Sequence, residues 1–195
     1  ISAVSFIATI TSCNPGLYLA LMHSYGDEID EAAFGILNLI AVPVIPILIL
    51  NTTSGTDIDY LSIFDTLLPF LIGMVVGNID PTIQKMFSPG TVISLPFLGL
   101  SFGSYINLKI AFHSGVSGII LTIIFLIICK LPLVYIDKLL LKRPGYAAAA
   151  TCSVAGISLV VPTLAANINA AYKPYIDTAT AQIALAVILT SILSS

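Results

Sequence analysis

Tryptophan is missing from this 195-residue chain and charge is scarce, Asp, Glu, Lys and Arg making up only 9% of residues. Soluble domains carry about a quarter charged residues, so this scarcity excludes an ordinary water-solvated globule. It also excludes a nucleic-acid partner, because the net charge is −3 and no basic cluster exceeds Lys142-Arg143. The 3 cysteines, Cys13, Cys129 and Cys152, all lie in apolar segments. That placement argues against a disulfide framework, and small buried side chains are a better reading than a metal site. The 2 histidines, His23 and His113, lie near the ends of apolar runs, and no pair of aspartates stands inside one. A hydrolase acting within the membrane would need a nucleophile with a partnered base, or two facing aspartates, at mid-membrane depth. Neither is present, so no catalytic residue is assigned. No basic flank precedes the first apolar run, the first charged residue being Asp27, so no signal peptide is expected. Nor does a Met open the chain; both ends fall inside apolar runs, and the expectation is a partial chain.

What is abundant is apolar: 57% of residues are hydrophobic and mean hydropathy is +1.05. The expected class is an all-α polytopic membrane protein, because barrel strands alternate apolar and polar whereas Ile119 to Ile128 is continuously apolar. A crossing helix needs roughly 20 residues, which allows about seven spans. They are expected at residues 1–21, 32–50, 61–77, 91–108, 111–136, 146–170 and 176–195. Pro43 and Pro46 should kink the second span. Gly73/Gly77 and Gly99/Gly103 form G-x-x-x-G pairs in the third and fourth, read as close packing between those spans. Lys130 is read as snorkelling, and His113 as a solvated interfacial histidine. Loops after the odd spans hold Lys85, Lys138, Lys142 and Arg143, against Lys109 and Lys173 opposite, which places the first set in the cytoplasm.

Two polar interruptions stand out. Thr11-Ser12-Cys13-Asn14-Pro15-Gly16 sits inside the first span, and Thr151-Cys152-Ser153-Val154-Ala155-Gly156 repeats its small hydroxyl and thiol residues and closing Gly 140 positions later, shortly before Pro162. A membrane helix avoids clustered Pro, Gly and hydroxyls because each freed backbone group needs a partner where there is no water. Pro15 and Pro162 are therefore read as helix breakers and the two spans as discontinuous helices. The first and sixth spans are five apart and must run in opposite directions, as the halves of an inverted repeat do. Where such a helix restarts, its N–H groups and dipole attract an anion. Crossing the two breaks would gather those N–H groups with the hydroxyls and thiols of Thr11, Ser12, Cys13, Thr151, Cys152 and Ser153, beside Gly16 and Gly156. The carboxylate of a small polar substrate would sit there, its hydroxyls bonded by Asn14, Ser158 or Thr163. The alternative is that these hydroxyls only satisfy the freed backbone.

Asn14-Pro15-Gly16-Leu17-Tyr18, Gly77-Asn78-Ile79-Asp80-Pro81, Asp137-Lys138-Leu139, the Ala/Ser-rich stretch before Ala155-Gly156, and Ala171-Tyr172-Lys173-Pro174 with Thr190-Ser191-Ile192-Leu193 together resemble the bacterial 2-keto-3-deoxygluconate permease family. The resemblance is collinear over nearly the whole chain. It implies a multi-pass protein of the bacterial plasma membrane that imports a small anionic sugar acid, 2-keto-3-deoxygluconate, with a co-transported proton or sodium and no resident cofactor or metal. It further implies a fold similar to bile acid:sodium symporters, with ten helices in two inverted repeats and separate core and panel domains. Residues 1–50 would then end the first repeat, 61–108 form the panel pair, and 111–195 supply the core helices of the second repeat. The first three helices would precede Ile1. The family pattern places acids where this chain has Thr11, Ile40 and Asn107, which leaves proton, sodium or uncoupled movement open. An inactive membrane protein of the same fold is the other reading. Oligomeric state is not legible.

Overall fold

The computed structural model describes residues 1–55, 60–104 and 114–194. Lys109, Asn107 and His113 lie outside these described residues. Helices α1 (Ala3–Ile10) and α2 (Pro15–Tyr25) make one interrupted span, followed by α3 (Glu28–Ala32), α4 (Phe34–Ala41) and α5 (Val44–Ser54). Next come α6 (Tyr60–Ile79) and α7 (Pro81–Ser104). α8 (Gly115–Phe125) continues through a π-turn (Leu126–Lys130) into α9 (Leu131–Leu139). α10 (Tyr146–Thr151) is separated by a break and a 3₁₀ turn (Gly156–Val160) from α11 (Val161–Ile168), and α12 (Ile176–Ser194) closes the fold.

Five helical segments are long and apolar enough to cross a membrane: Ala3–Tyr25, Ile29–Leu50, Gly115–Leu139, Tyr146–Asn167 and Ala170–Ser194. The expected third and fourth spans differ. Leu67–Ile79 and Pro81–Phe87 meet at 110°, so at most a sixth span is added if this bent pair is one crossing. A Cβ built on Gly73, Gly77 or Gly103 meets nothing within 4 Å, so these glycines are not what brings α6 and α7 together.

Local chemistry explains the irregularities. Pro132 has no N–H and its ring would strike the carbonyl four residues back. The helix answers with a wider turn, in which the Leu131 N–H reaches the Leu126 carbonyl. Pro43 has the same effect on the second span, which breaks between Ala41 and Val44 rather than merely bending. At Gly118 the backbones of α8 and α12 approach so closely that a Cβ would lie 2.8 Å from Leu185 Cδ2. α12 answers with Ala179, Ala184 and Ala186, all essentially buried.

α8 shows why the fold belongs in lipid. Gly118, Leu121, Thr122 and Phe125 are buried on one stripe, while Val116, Ile119, Ile123 and Ile127 form an exposed stripe that is equally apolar. In water an exposed face would be polar. The main core joins α1, α8, α11 and α12 around Val4, Phe125, Val154, Val161 and Ile183. A smaller cluster holds Tyr18 and Met22 of α2 against Ala150 of α10.

Candidate functional site

Each interrupted span stops in the same way. α1 ends at Thr11, whose Oγ1 donates to the Ile7 carbonyl at 2.7 Å; α10 ends at Thr151, whose Oγ1 donates to the Ala147 carbonyl at 2.8 Å. Back-bonding four residues up satisfies a carbonyl that the missing next turn leaves unpaired. The second halves restart differently. Asn14 caps α2, its side chain accepting from the Leu17 N–H at 3.1 Å, and Pro15 occupies the first turn. Pro162 likewise lies in the first turn of α11. Both prolines begin a helix rather than break one, because a first-turn residue has no N–H bond to lose and proline's φ is preset for the helix. The interruptions themselves fall at residues 11–14 and 152–155.

The breaks touch. Ser12 Oγ accepts from the Ala155 N–H and from the Ser158 hydroxyl, both at 2.8 Å. Around this bridge α1 packs against α11, and α2 packs against α10. Each first half thus lies against the other span's second half, as in two antiparallel helices crossing at their interruptions. With two bonds accepted, Ser12 retains its own hydroxyl hydrogen to donate.

A cavity of about 390 Å³ opens beside the crossing, lined by Thr11, Ser12, Cys13, Thr151 and Cys152 together with Ile40, Ile45, Phe125, Cys129 and Leu133. Its size falls in the lower part of the range for small-molecule sites, and its walls are mainly apolar with a few convergent polar groups. None of its lining residues is charged. Five of the residues expected at the site are therefore brought together. The others are placed elsewhere: Asn14 serves as a cap, Ser158 is committed to Ser12, and Ser153 is fully buried with its hydroxyl unpartnered among the described residues. Gly16 lies in the first turn of α2, Gly156 opens the 3₁₀ turn, and Thr163 is exposed on α11.

Three supporting residues were not foreseen. Thr190 Oγ1 accepts from the Val154 N–H at 3.0 Å while donating to the Ala186 carbonyl at 2.7 Å. Ser194 donates to the Cys152 carbonyl at 3.0 Å. Cys129 offers its thiol to the Ile10 carbonyl at 3.6 Å, and Cys13 does the same to Leu37 at 3.5 Å. Thr190 and Ser194 share one face of α12, four residues apart, and that spacing is the only sequence sign of a polar face toward the second break. Among the described residues no three His, Cys, Asp or Glu side chains are grouped to hold a metal.

On the face where the first span ends, Arg143 Nη2 pairs with Asp27 Oδ2 at 2.6 Å and Asp30 Oδ2 at 2.9 Å. The Asp27 carboxyl is held below its ordinary range, first by the backbone N–H of Asp30 and further by Arg143. Asp27 and Asp30 also form a reciprocal capping box at the start of α3. This pairing joins the loop after α2 to the loop before α10, tying together the ends of α2 and α10 that pack inside.

Apolar outward faces and two interrupted helices crossing over a small cavity define a polytopic helical membrane protein with a pocket at the crossing. The 2-keto-3-deoxygluconate permease family matches residues 1–195, and the chain belongs to that family. Over 193 residues it is 33% identical to 2-keto-3-deoxygluconate permeases of Enterobacter sp. (strain 638) and Escherichia coli (strain K12 / DH10B), a match covering 99% of this chain. The chain spans 58% and 59% of the length of those two relatives. No solved structure matches it.

Proposed function

We propose that the complete protein is a secondary transporter of the bacterial plasma membrane that imports a small sugar acid, 2-keto-3-deoxygluconate, by symport with a proton or sodium. The observation that carries this reading is the Ser12 bridge: two interrupted helices meet at a cavity of about 390 Å³ through Ser12, Ala155 and Ser158. Paired discontinuous helices are where transporters hold substrate. In an uncharged cavity the carboxylate is held by N–H groups and helix-end dipoles rather than by a cation. Ser12, Thr11 and Thr151 supply hydroxyls for the sugar oxygens. The inverted repeat then gives alternating access its geometry, with the crossing as a fixed point about which one group of helices rocks.

Uptake of labelled 2-keto-3-deoxygluconate by the complete protein in proteoliposomes, with and without imposed proton or sodium gradients, tests the proposal. Accumulation driven by one gradient is expected. Uptake that ignores both gradients would reduce the protein to a uniporter, and no uptake at all would overturn the transport reading.

A further inference from the structure

We infer that Lys130 forms a second anion site, which receives the substrate's carboxylate between the crossing and the face that carries the Asp137–Gly145 loop. The inference rests on the transport reading above and adds to it a cationic station outside the uncharged cavity. Lys130 lies near the middle of the span Gly115–Leu139. Ionisable side chains at that depth are costly and mark ligand or ion pathways.

The π-turn forced by Pro132 places Lys130 at its end, flanked by the exposed Ile127, Ile128 and Leu131. The lysine itself reaches α12, where its Nζ donates to the Leu193 carbonyl at 2.7 Å and to Ser194 Oγ at 3.1 Å. Both acceptors are neutral. No carboxylate lies within ion-pair distance of Lys130 among the described residues. An ammonium has three donors, of which two are used here, and a cation removed from water without a counter-charge strongly favours an anion beside it.

Room for that anion is present. Lys130 and Ser194 line a cavity of about 350 Å³ together with Leu21, Met22, Tyr25 and Tyr146. The rings of Tyr25 and Tyr146 stand 6.1 Å apart where α2 ends and α10 begins. At the other side Ser194 donates to the Cys152 carbonyl, inside the second break. The cavity therefore runs from the outer end of both interrupted helices to the crossing, and Lys130 is the one charged group in its lining. A monocarboxylate carrying several hydroxyls fits this chemistry, with the carboxylate on the ammonium and the phenols offering bonds to hydroxyls.

The test uses the complete protein in proteoliposomes and in detergent. Lys130→Met should raise the KM for 2-keto-3-deoxygluconate about tenfold, the size of one charge-assisted hydrogen bond, and Lys130→Arg should recover most of it. In detergent, 2-keto-3-deoxygluconate should raise the melting temperature of the unmodified protein more than that of Lys130→Met, whereas neutral glucose should raise neither. An unchanged KM and an unchanged ligand-induced shift in Lys130→Met would overturn the inference while leaving transport itself intact. Should Lys130→Met not insert, a cysteine introduced as Ala149→Cys in the same cavity decides the matter. Its additional maleimide labelling should be slowed by 2-keto-3-deoxygluconate and not by glucose, and equal labelling with both would overturn the site.

Discussion

The two breaks use similar residues and are packed differently. At the second, Cys152, Ser153, Val154 and Ala155 are each no more than 5% exposed, and α12 closes over them with hydrogen bonds from Thr190 and Ser194. At the first, Thr11, Ser12 and Asn14 remain half-buried, and α4 across the cavity has no buried residue. Backbone freed at the second break is satisfied by a neighbouring helix, whereas at the first it is satisfied by Thr11, Asn14 and Cys129. The second break is thus a built floor, and the first carries the side chains that face the cavity. A site that must open and close is drawn from the less tightly held part of a structure.

This contrast can be broken most severely at Ser12. Replacing it in the complete protein with Leu fills the contact between the breaks and should abolish uptake while membrane expression persists; normal uptake would remove the crossing from the mechanism. Ser12→Ala is gentler. It leaves the Ala155 N–H without its partner, a loss of about 1–3 kcal/mol, and should lower uptake without abolishing it.

Asn14→Leu and Gly156→Leu come next. The first removes the cap of α2, worth about 1 kcal/mol, and the second crowds the start of the 3₁₀ turn. Both should strongly reduce sugar-acid uptake with expression maintained, and unimpaired uptake in both would count against the breaks as the site. Thr190→Val tests the built floor. It keeps the shape of the side chain but strands the Val154 N–H, so the melting temperature should fall by an amount corresponding to about 1–3 kcal/mol, with a larger change in stability than in KM. A change in KM alone would place Thr190 at the substrate instead.

The smallest effect is expected at the surface tie. Because the Asp27 carboxyl is held low, its contribution is present above the unfolded-state carboxylate pKa and is lost as pH falls through the lower folded value. The melting temperature of the unmodified protein should therefore decline on acidification through the carboxylate range, and Arg143→Ala should reduce part of that decline and its sensitivity to salt. Identical acid profiles for the two proteins would show that Arg143 contributes nothing there.

Much of this was legible from residue types. Thr11 and Thr151 announced themselves because a hydroxyl cluster inside an apolar run must be satisfied internally, and both do so by the same back-bond. Pro15 and Pro162 were legible as discontinuities but misleading as to position, since proline marks the start of the next helix more readily than the end of the last. Thr190 and Ser194 were hidden in a helix of small residues whose apolar and polar positions show no dominant face. Cys129 was hidden by distance, since it contacts a carbonyl 119 residues away.

The sequence by itself determined the environment and the repeated interruption: too little charge for water, enough apolar length for several spans, and two polar breaks where backbone must find partners without solvent. Only the tertiary structure decided which partners those are. Ser12 reaches across 143 residues to the Ala155 N–H, and Lys130 reaches 64 residues to Ser194. Hydroxyls and ammonium groups accept many geometries, so their partners are set by how helices pack and not by the residues that carry them.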